Sequence, residues 1–163
     1  MSIQRLSLER RYCNLKYMGT TDITELYTAT SLSADGQRVS LYSSAPAAGF
    51  PAPGDDMVER SLNVHEYLVK HPVSTFFVRV EGDSMEGAGI FSGDILVVDR
   101  SVEAVSGKIV VAAVGGGLVV KRLAKLDGEM VLMSENSAYV PIKVTGDEEC
   151  FVWGVVTGSV RQF

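Results

Sequence analysis

The sequence predicts a mainly β protein, a curled antiparallel sheet or partly open barrel with one short helix, preceded by an extended N-terminal arm. Three observations carry that expectation. Seven short runs rich in Val and Ile, at 76–80, 94–99, 108–114, 118–123, 129–134, 139–144 and 150–160, are punctuated by Gly, Asp and Asn. No long helix pattern separates them, which favours strands packed on strands. Between 108–114 and 118–123 stands Gly115-Gly116-Gly117, the best hairpin signal in the chain.

Composition sets the outer bounds. At 163 residues the chain is one domain, or one domain plus an arm. A chain of this size buries roughly 70% of the surface its unfolded form exposes, so it needs no disulfide or metal staple. Apolar content of 46% and aromatic content of 8% belong to a globular protein. A net charge of −5 argues against a sequence-independent grip on nucleic acid, which usually needs a basic surface. Cys13 and Cys150 lie far apart and form no CxxC site. Neither a cofactor nor a metal is expected. The N-terminus lacks the sustained apolar stretch of a secretory signal, and no apolar run approaches the roughly 20 residues of a membrane span. A cytoplasmic protein without membrane association is the expectation.

Taken in order, residues 1–45 read as the arm, partly flexible. Arg5, Arg10, Arg11 and Lys16 make its first part basic, with Glu9 opposing them. Asp22 followed by Glu25 predicts a capped short helix over Ile23 to Ala29, and Val39 to Tyr42 a short strand. No pair of helices with a compact turn suggests a helix-turn-helix. Residues 46–60 form an extended loop. Pro46, Pro51 and Pro53 forbid helix there and bias their neighbours toward extended conformations. The loop is either a plain linker or, with its small pair Ala48-Gly49, a strand that a protease cleft could accept.

Residues 61–163 form the β-rich domain. It opens with a short helix, for which Asn63 is the N-cap, Glu66 completes the capping box, and Leu62 and Tyr67 provide a hydrophobic staple. Pro72 sets the stop after Lys70-His71. His65 and His71 lack convincing partners and read as surface or packing residues. Cys150 to Val156 is apolar on both alternating faces, so it must be buried on both sides, by the fold or by a second subunit.

Two residues could carry chemistry. Ser84, in Gly82-Asp83-Ser84-Met85, follows the strand 76–80 on a tight turn, and is either a turn residue or a nucleophile. Lys121, in Leu118-Val119-Val120-Lys121-Arg122-Leu123, alternates onto one face with Val119 and Leu123, while Arg122 takes the other. A lysine so placed usually snorkels to water, but burial also lowers its pKa and leaves a neutral amine able to take a proton. From a reference near 10.4, a fall of about 3 units costs roughly 4 kcal/mol, which the fold must offset. An unassisted serine is a weak nucleophile. No histidine here is flanked as a Ser-His-Asp triad would require, and a Ser-Lys pair follows the same logic.

From Ala47 to Val160 the chain resembles the LexA-like self-cleaving serine peptidases, and most closely their UmuD-type members. The resemblance is carried by Ala48-Gly49-Phe50-Pro51-Ala52-Pro53, Leu62 to Tyr67, His71 to Phe77, Gly82-Asp83-Ser84-Met85, Gly93 to Ser101, Val119 to Leu123, Asn136-Ser137-Ala138-Tyr139 and Trp153 to Thr157. It implies Ser84 as nucleophile, Lys121 as general base, and a cut between Ala48 and Gly49 that leaves residues 49–163 as the active form. Backbone N–H groups of Asp83 and Ser84 would hold the oxyanion. It further implies a homodimer, cleavage stimulated by a RecA filament on single-stranded DNA, and a product that serves a Y-family, UmuC-type polymerase subunit in the SOS response.

The match departs from that family in its arm, which is longer than usual and carries none of the resembling stretches over residues 1–40. Two rival readings follow. One is a self-cleaving transcriptional regulator that binds DNA through the basic arm. The other is a signal-peptidase-like enzyme acting on other chains, which normally needs a membrane anchor.

Overall fold

The computed structural model describes residues 22–29, 38–42, 58–144 and 150–163. The basic segment Arg5 to Lys16 and the loop bearing Ala48-Gly49 lie outside these residues. The described strands are β1 (Asp22–Thr28), β2 (Arg38–Tyr42), β3 (Val58–Asn63), β4 (Thr75–Glu81), β5 (Ile95–Asp99), β6 (Ile109–Val114), β7 (Gly117–Leu126), β8 (Glu129–Met133), β9 (Ile142–Lys143) and β10 (Cys150–Val160). One α-helix, α1 (Val64–Leu68), lies between β3 and β4.

Eight strands make one antiparallel sheet in the order β1-β4-β5-β10-β6-β7-β8-β9, and β2 pairs with β3 separately. The sheet curls until Asp22 of β1 bridges Val119 of β7. That contact is one residue pair, so the sheet is curled but is not a closed barrel. Bulges between Val152 and Gly154 and between Val156 and Gly158 bend β10, the strand at its centre. Gly154 is required there, because a Cβ would sit 2.8 Å from Val98 Cγ1.

Val114 pairs with Gly117, so Gly115 and Gly116 form a two-residue turn, with φ of +55° and +81°. Two positive φ values are what a tight hairpin of the right twist demands. This turn fixes the β6–β7 register, which runs Val110 opposite Lys121 and Val111 opposite Val120.

The core falls into two clusters. Leu26, Val78, Val80, Met85, Ile90, Leu96, Val98, Val111 and Val120 form one; Val110, Ala112, Val119, Leu123, Leu132, Cys150 and Val155 form the other. Successive β7 residues therefore serve opposite faces, as strand geometry requires. β10 is buried in its middle by the fold, at Gly154 and Val155, but Phe151 is exposed. The fold thus buries the expected run at Cys150, Gly154 and Val155 and leaves Phe151 open.

Three local expectations are corrected. Residues 23–29 are not a helix: Asp22–Thr28 is β1, paired with β4 from Asp22↔Glu81 to Thr28↔Phe76. This part of the expected arm is a strand of the main sheet. The expected 139–144 strand shrinks to Ile142–Lys143, and Tyr139 lies in a turn. Helix α1 ends at Leu68, before Lys70. Its start is as expected: the Asn63 side chain accepts from the N–H groups of His65 and Glu66.

Candidate active site

β4 delivers the chain to Ser84. Gly82, at φ +105°, lets the backbone leave the sheet sharply after Glu81. The turn that follows is self-bonded: the Glu86 N–H donates to the Asp83 carbonyl at 3.2 Å, and the Ala88 N–H to the Met85 carbonyl at 3.0 Å. Met85 is fully buried in the first core cluster and pins this turn to the sheet.

A second segment straps the turn from outside. The Glu135 N–H donates to the Ser84 carbonyl at 2.8 Å, and the Gly87 N–H returns a bond to the Glu135 carbonyl at 2.9 Å. Asn136 Nδ2 donates to the Asp83 carbonyl at 3.3 Å, and the Tyr139 hydroxyl donates to the Asp83 carboxylate. That bond raises the Tyr139 pKa above its ordinary value, because the phenol is the donor to an anion. A Cβ on Gly87 would collide with the Glu135 carbonyl, so glycine is what permits this close approach. Across a trans peptide, N–H and C=O point in opposite directions. Gripping the Asp83 carbonyl therefore fixes where the Ser84 N–H is aimed.

β7 delivers Lys121. Its Nζ donates to Ser84 Oγ at 2.6 Å, and both residues are sealed from solvent, Ser84 at 0% and Lys121 at 1% exposure. The Nζ also lies 5.9 Å from the centroid of the Tyr139 ring. Arg122 takes the opposite face, as alternation requires. It pairs with the Glu135 carboxylate and donates to the Gly107 carbonyl at 2.6 Å. Thus two adjacent residues of one strand do different work: one meets the serine, the other grips the strap.

Two further polar clusters lie outside this site. Arg161 Nε donates to Asp94 Oδ1 at 2.6 Å, and this bond holds the nearly buried Asp94 carboxyl below its ordinary pKa. At the end of β5, Asp99 accepts from His71 Nδ1 at 2.6 Å, Ser74 Oγ at 2.9 Å, and the Ser101 N–H and Oγ at 2.8 and 2.7 Å. Burial alone would push its carboxyl up, but bonds from His71, Ser101 and Ser74 outweigh that and lower it from 3.8 to about 2. His71, expected to be without a partner, is thus tied to a buried carboxylate 28 residues away. Among the described residues, no group of three or more His, Cys, Asp and Glu side chains could hold a metal ion. No helix there is long and apolar enough to cross a membrane.

The structure therefore brings together Ser84, Lys121 and the Asp83–Ser84 backbone. Ala48 and Gly49 lie outside the described residues. Glu135, Asn136 and Tyr139 were missed as parts of the site. The one local signal was the polar run Ser134-Glu135-Asn136-Ser137 between two apolar segments, which reads equally as an ordinary loop.

A serine and a lysine sealed together on a curled β-sheet point to the serine-peptidase class. Residues 40–157 match the Peptidase S24-like family, and the chain belongs to it. Protein MucA of Salmonella typhimurium is 43% identical over 123 residues, covering 75% of this chain and 84% of that protein. Protein SamA of Salmonella typhimurium (strain LT2) is 38% identical over 122 residues, with the same two coverages. The LexA repressor of Bordetella pertussis is 38% identical over 115 residues, which span 71% of this chain and 53% of the repressor. The LexA-like, UmuD-type resemblance read from the sequence is thereby shown.

Proposed function

We propose that this protein cuts its own chain once, between Ala48 and Gly49, and that the cut is the switch of an SOS-response mutagenesis protein. The observation that carries the reading is the 2.6 Å contact between Lys121 Nζ and Ser84 Oγ, two side chains buried together. Burial disfavours the ammonium, so the amine can be neutral and take a proton at the same separation.

The steps balance on these residues. Lys121 takes the Ser84 proton as Oγ attacks the Ala48 carbonyl carbon, and the carbonyl electrons move onto oxygen. The N–H groups of Asp83 and Ser84 hold that oxyanion. When the tetrahedral species collapses, the C–N bond breaks and the Lys121 ammonium protonates the Gly49 amine. Water, deprotonated by the again neutral Lys121, then hydrolyses the Ala48 ester and restores Ser84. The substrate is part of the chain, so a high effective concentration replaces a pocket for foreign peptides. Docking of the 45–54 loop on the pair limits the rate, and a RecA filament on single-stranded DNA raises the docked population. Residues 49–163, as a homodimer, then serve as accessory subunit to a Y-family, UmuC-type translesion polymerase.

The test is intact mass after incubation with RecA, nucleotide and single-stranded DNA. The expected product breaks between Ala48 and Gly49 and is absent from Ser84→Ala and Lys121→Ala. Cleavage of either variant at the normal rate removes the assignment. The likeness to a LexA repressor favours a second reading, a regulator that holds DNA through its basic arm. Sequence-specific retardation of DNA by full-length Ser84→Ala protein at physiological salt would favour it over the first.

A further inference from the structure

The proposed cut falls in an unexpected place relative to the sheet. β1 lies upstream of Ala48-Gly49, yet it pairs along its length with β4 and bridges β7 at Asp22↔Val119. Leu26 belongs to the first core cluster, Ile23 packs against that cluster, and Ala29 is fully buried. On the flank, Glu25 accepts from Arg79 Nε at 2.9 Å and from the Tyr27 hydroxyl at 3.0 Å. A second strand upstream of the cut, β2, pairs with β3 from Arg38↔Asn63 to Tyr42↔Val58. Hydrolysis of one peptide bond in the intervening loop touches none of these contacts.

We infer that the cut severs the N-terminal segment without releasing it, and that the groove between β4 and β7 is a strand-binding site occupied by residues 22–29 of the same chain. The position of the cut rests on the function proposed above; the binding site does not. Before cleavage the strand is held at the high effective concentration of a tethered segment. Afterwards the same pairing is bimolecular, and a slow off-rate keeps the fragment in place until dilution, or a competitor for the β4 edge, removes it. Loss of β1 would leave the β4 ladder groups open, an edge that another strand could join. Cleavage and release are then two separate events, and the second depends on concentration.

The test severs the full-length chain independently of its own chemistry. In a Ser84→Ala chain, the loop residues 45–51 are replaced by the recognition sequence of a site-specific viral protease. After cutting, native mass spectrometry and gel filtration at micromolar concentration should find the N-terminal fragment with the domain, separating slowly on dilution and at once in denaturant. Leu26→Asp should speed loss of the fragment on dilution by at least about tenfold, since it puts a charge in the core. Glu25→Ala, which leaves the core intact, should speed it by about two- to threefold, and decides the matter if Leu26→Asp does not fold before cutting.

A fragment that elutes alone as soon as the chain is cut overturns the inference, and so does a dilution rate that neither substitution changes. The wild-type chain, activated with RecA, runs in parallel. If it fails to cut while the protease-cut chain keeps its fragment, the proposed function falls and the strand-binding site stands.

Discussion

Two buried polar groups sit on the same sheet and are treated differently. Asp99, at the end of β5, is a charged carboxylate met by four donors from His71, Ser74 and Ser101. Lys121, on β7, meets the hydroxyl of Ser84. The first arrangement spends its hydrogen bonds on keeping a charge where it is. The second places a group whose charge burial disfavours against a group that holds a proton. Burial alone separates neither from an ordinary core residue; the chemistry of the partner does.

The largest effect expected from this contrast is on cleavage. On the proposed mechanism, Ser84→Ala or Lys121→Ala should lower RecA-stimulated cleavage by at least about 10³-fold, because each member needs the other for the proton transfer. Melting temperature should change little beside that loss, and a thermal scan next to the mass assay shows it. The reverse pattern is expected at β5. Asp99→Asn should cost about 2 kcal/mol in urea unfolding at neutral pH, the value of lowering a carboxyl from 3.8 to about 2. The sign follows from that lowering: the contribution is complete above about pH 5 and is lost as pH falls through the folded value of about 2. Wild type and Asp99→Asn should therefore converge in acid. A difference that persists at pH 2 would mean that the charge is not what the cluster stabilises.

Smaller effects sharpen the comparison at the strap. Gly87→Ala should destabilise by about 1.5 kcal/mol, since a Cβ meets the Glu135 carbonyl and must push it away. Cleavage should slow as well, because the same carbonyl and N–H hold the Ser84 turn. Tyr139→Phe, which removes one partly exposed hydrogen bond to Asp83, should slow cleavage only about three- to fivefold. Its melting temperature should match wild type, so rate and stability part company there.

Legibility in the sequence followed how local each cause was. The Asn63 cap, the glycine hairpin after Val114 and the alternation of β7 depend on neighbouring residues and were readable, although Gly117, expected in the turn, is the first residue of β7. Alternation alone was enough to separate Lys121 from Arg122. β1 was misread because Asp22 followed by Glu25 imitates a capping box, while its bulge between Ile23 and Glu25 breaks the two-residue period that would mark a strand. Ile23 and Leu26 then reach the same core cluster three residues apart, which imitates a helix face. β3 carries charged residues and owes its form to pairing with β2. His71 and the Asn136–Tyr139 strap depend on partners 28 and more than 50 residues away, and no local pattern announces them.

The two-glycine turn between β6 and β7 has a consequence for which chemistry the chain can perform at all. It counts residues. With Val114 opposite Gly117, the fifth residue of β7 is the one presented to Ser84, and that residue is Lys121. Slip the strand by one position and every side chain changes face, so the serine would meet Val120, which cannot take a proton, or Arg122, which never gives one up. The lysine would point at the strap instead. The Ser84–Lys121 contact is in this sense written as an offset, and a single insertion far from Ser84 would erase it with both residues still present.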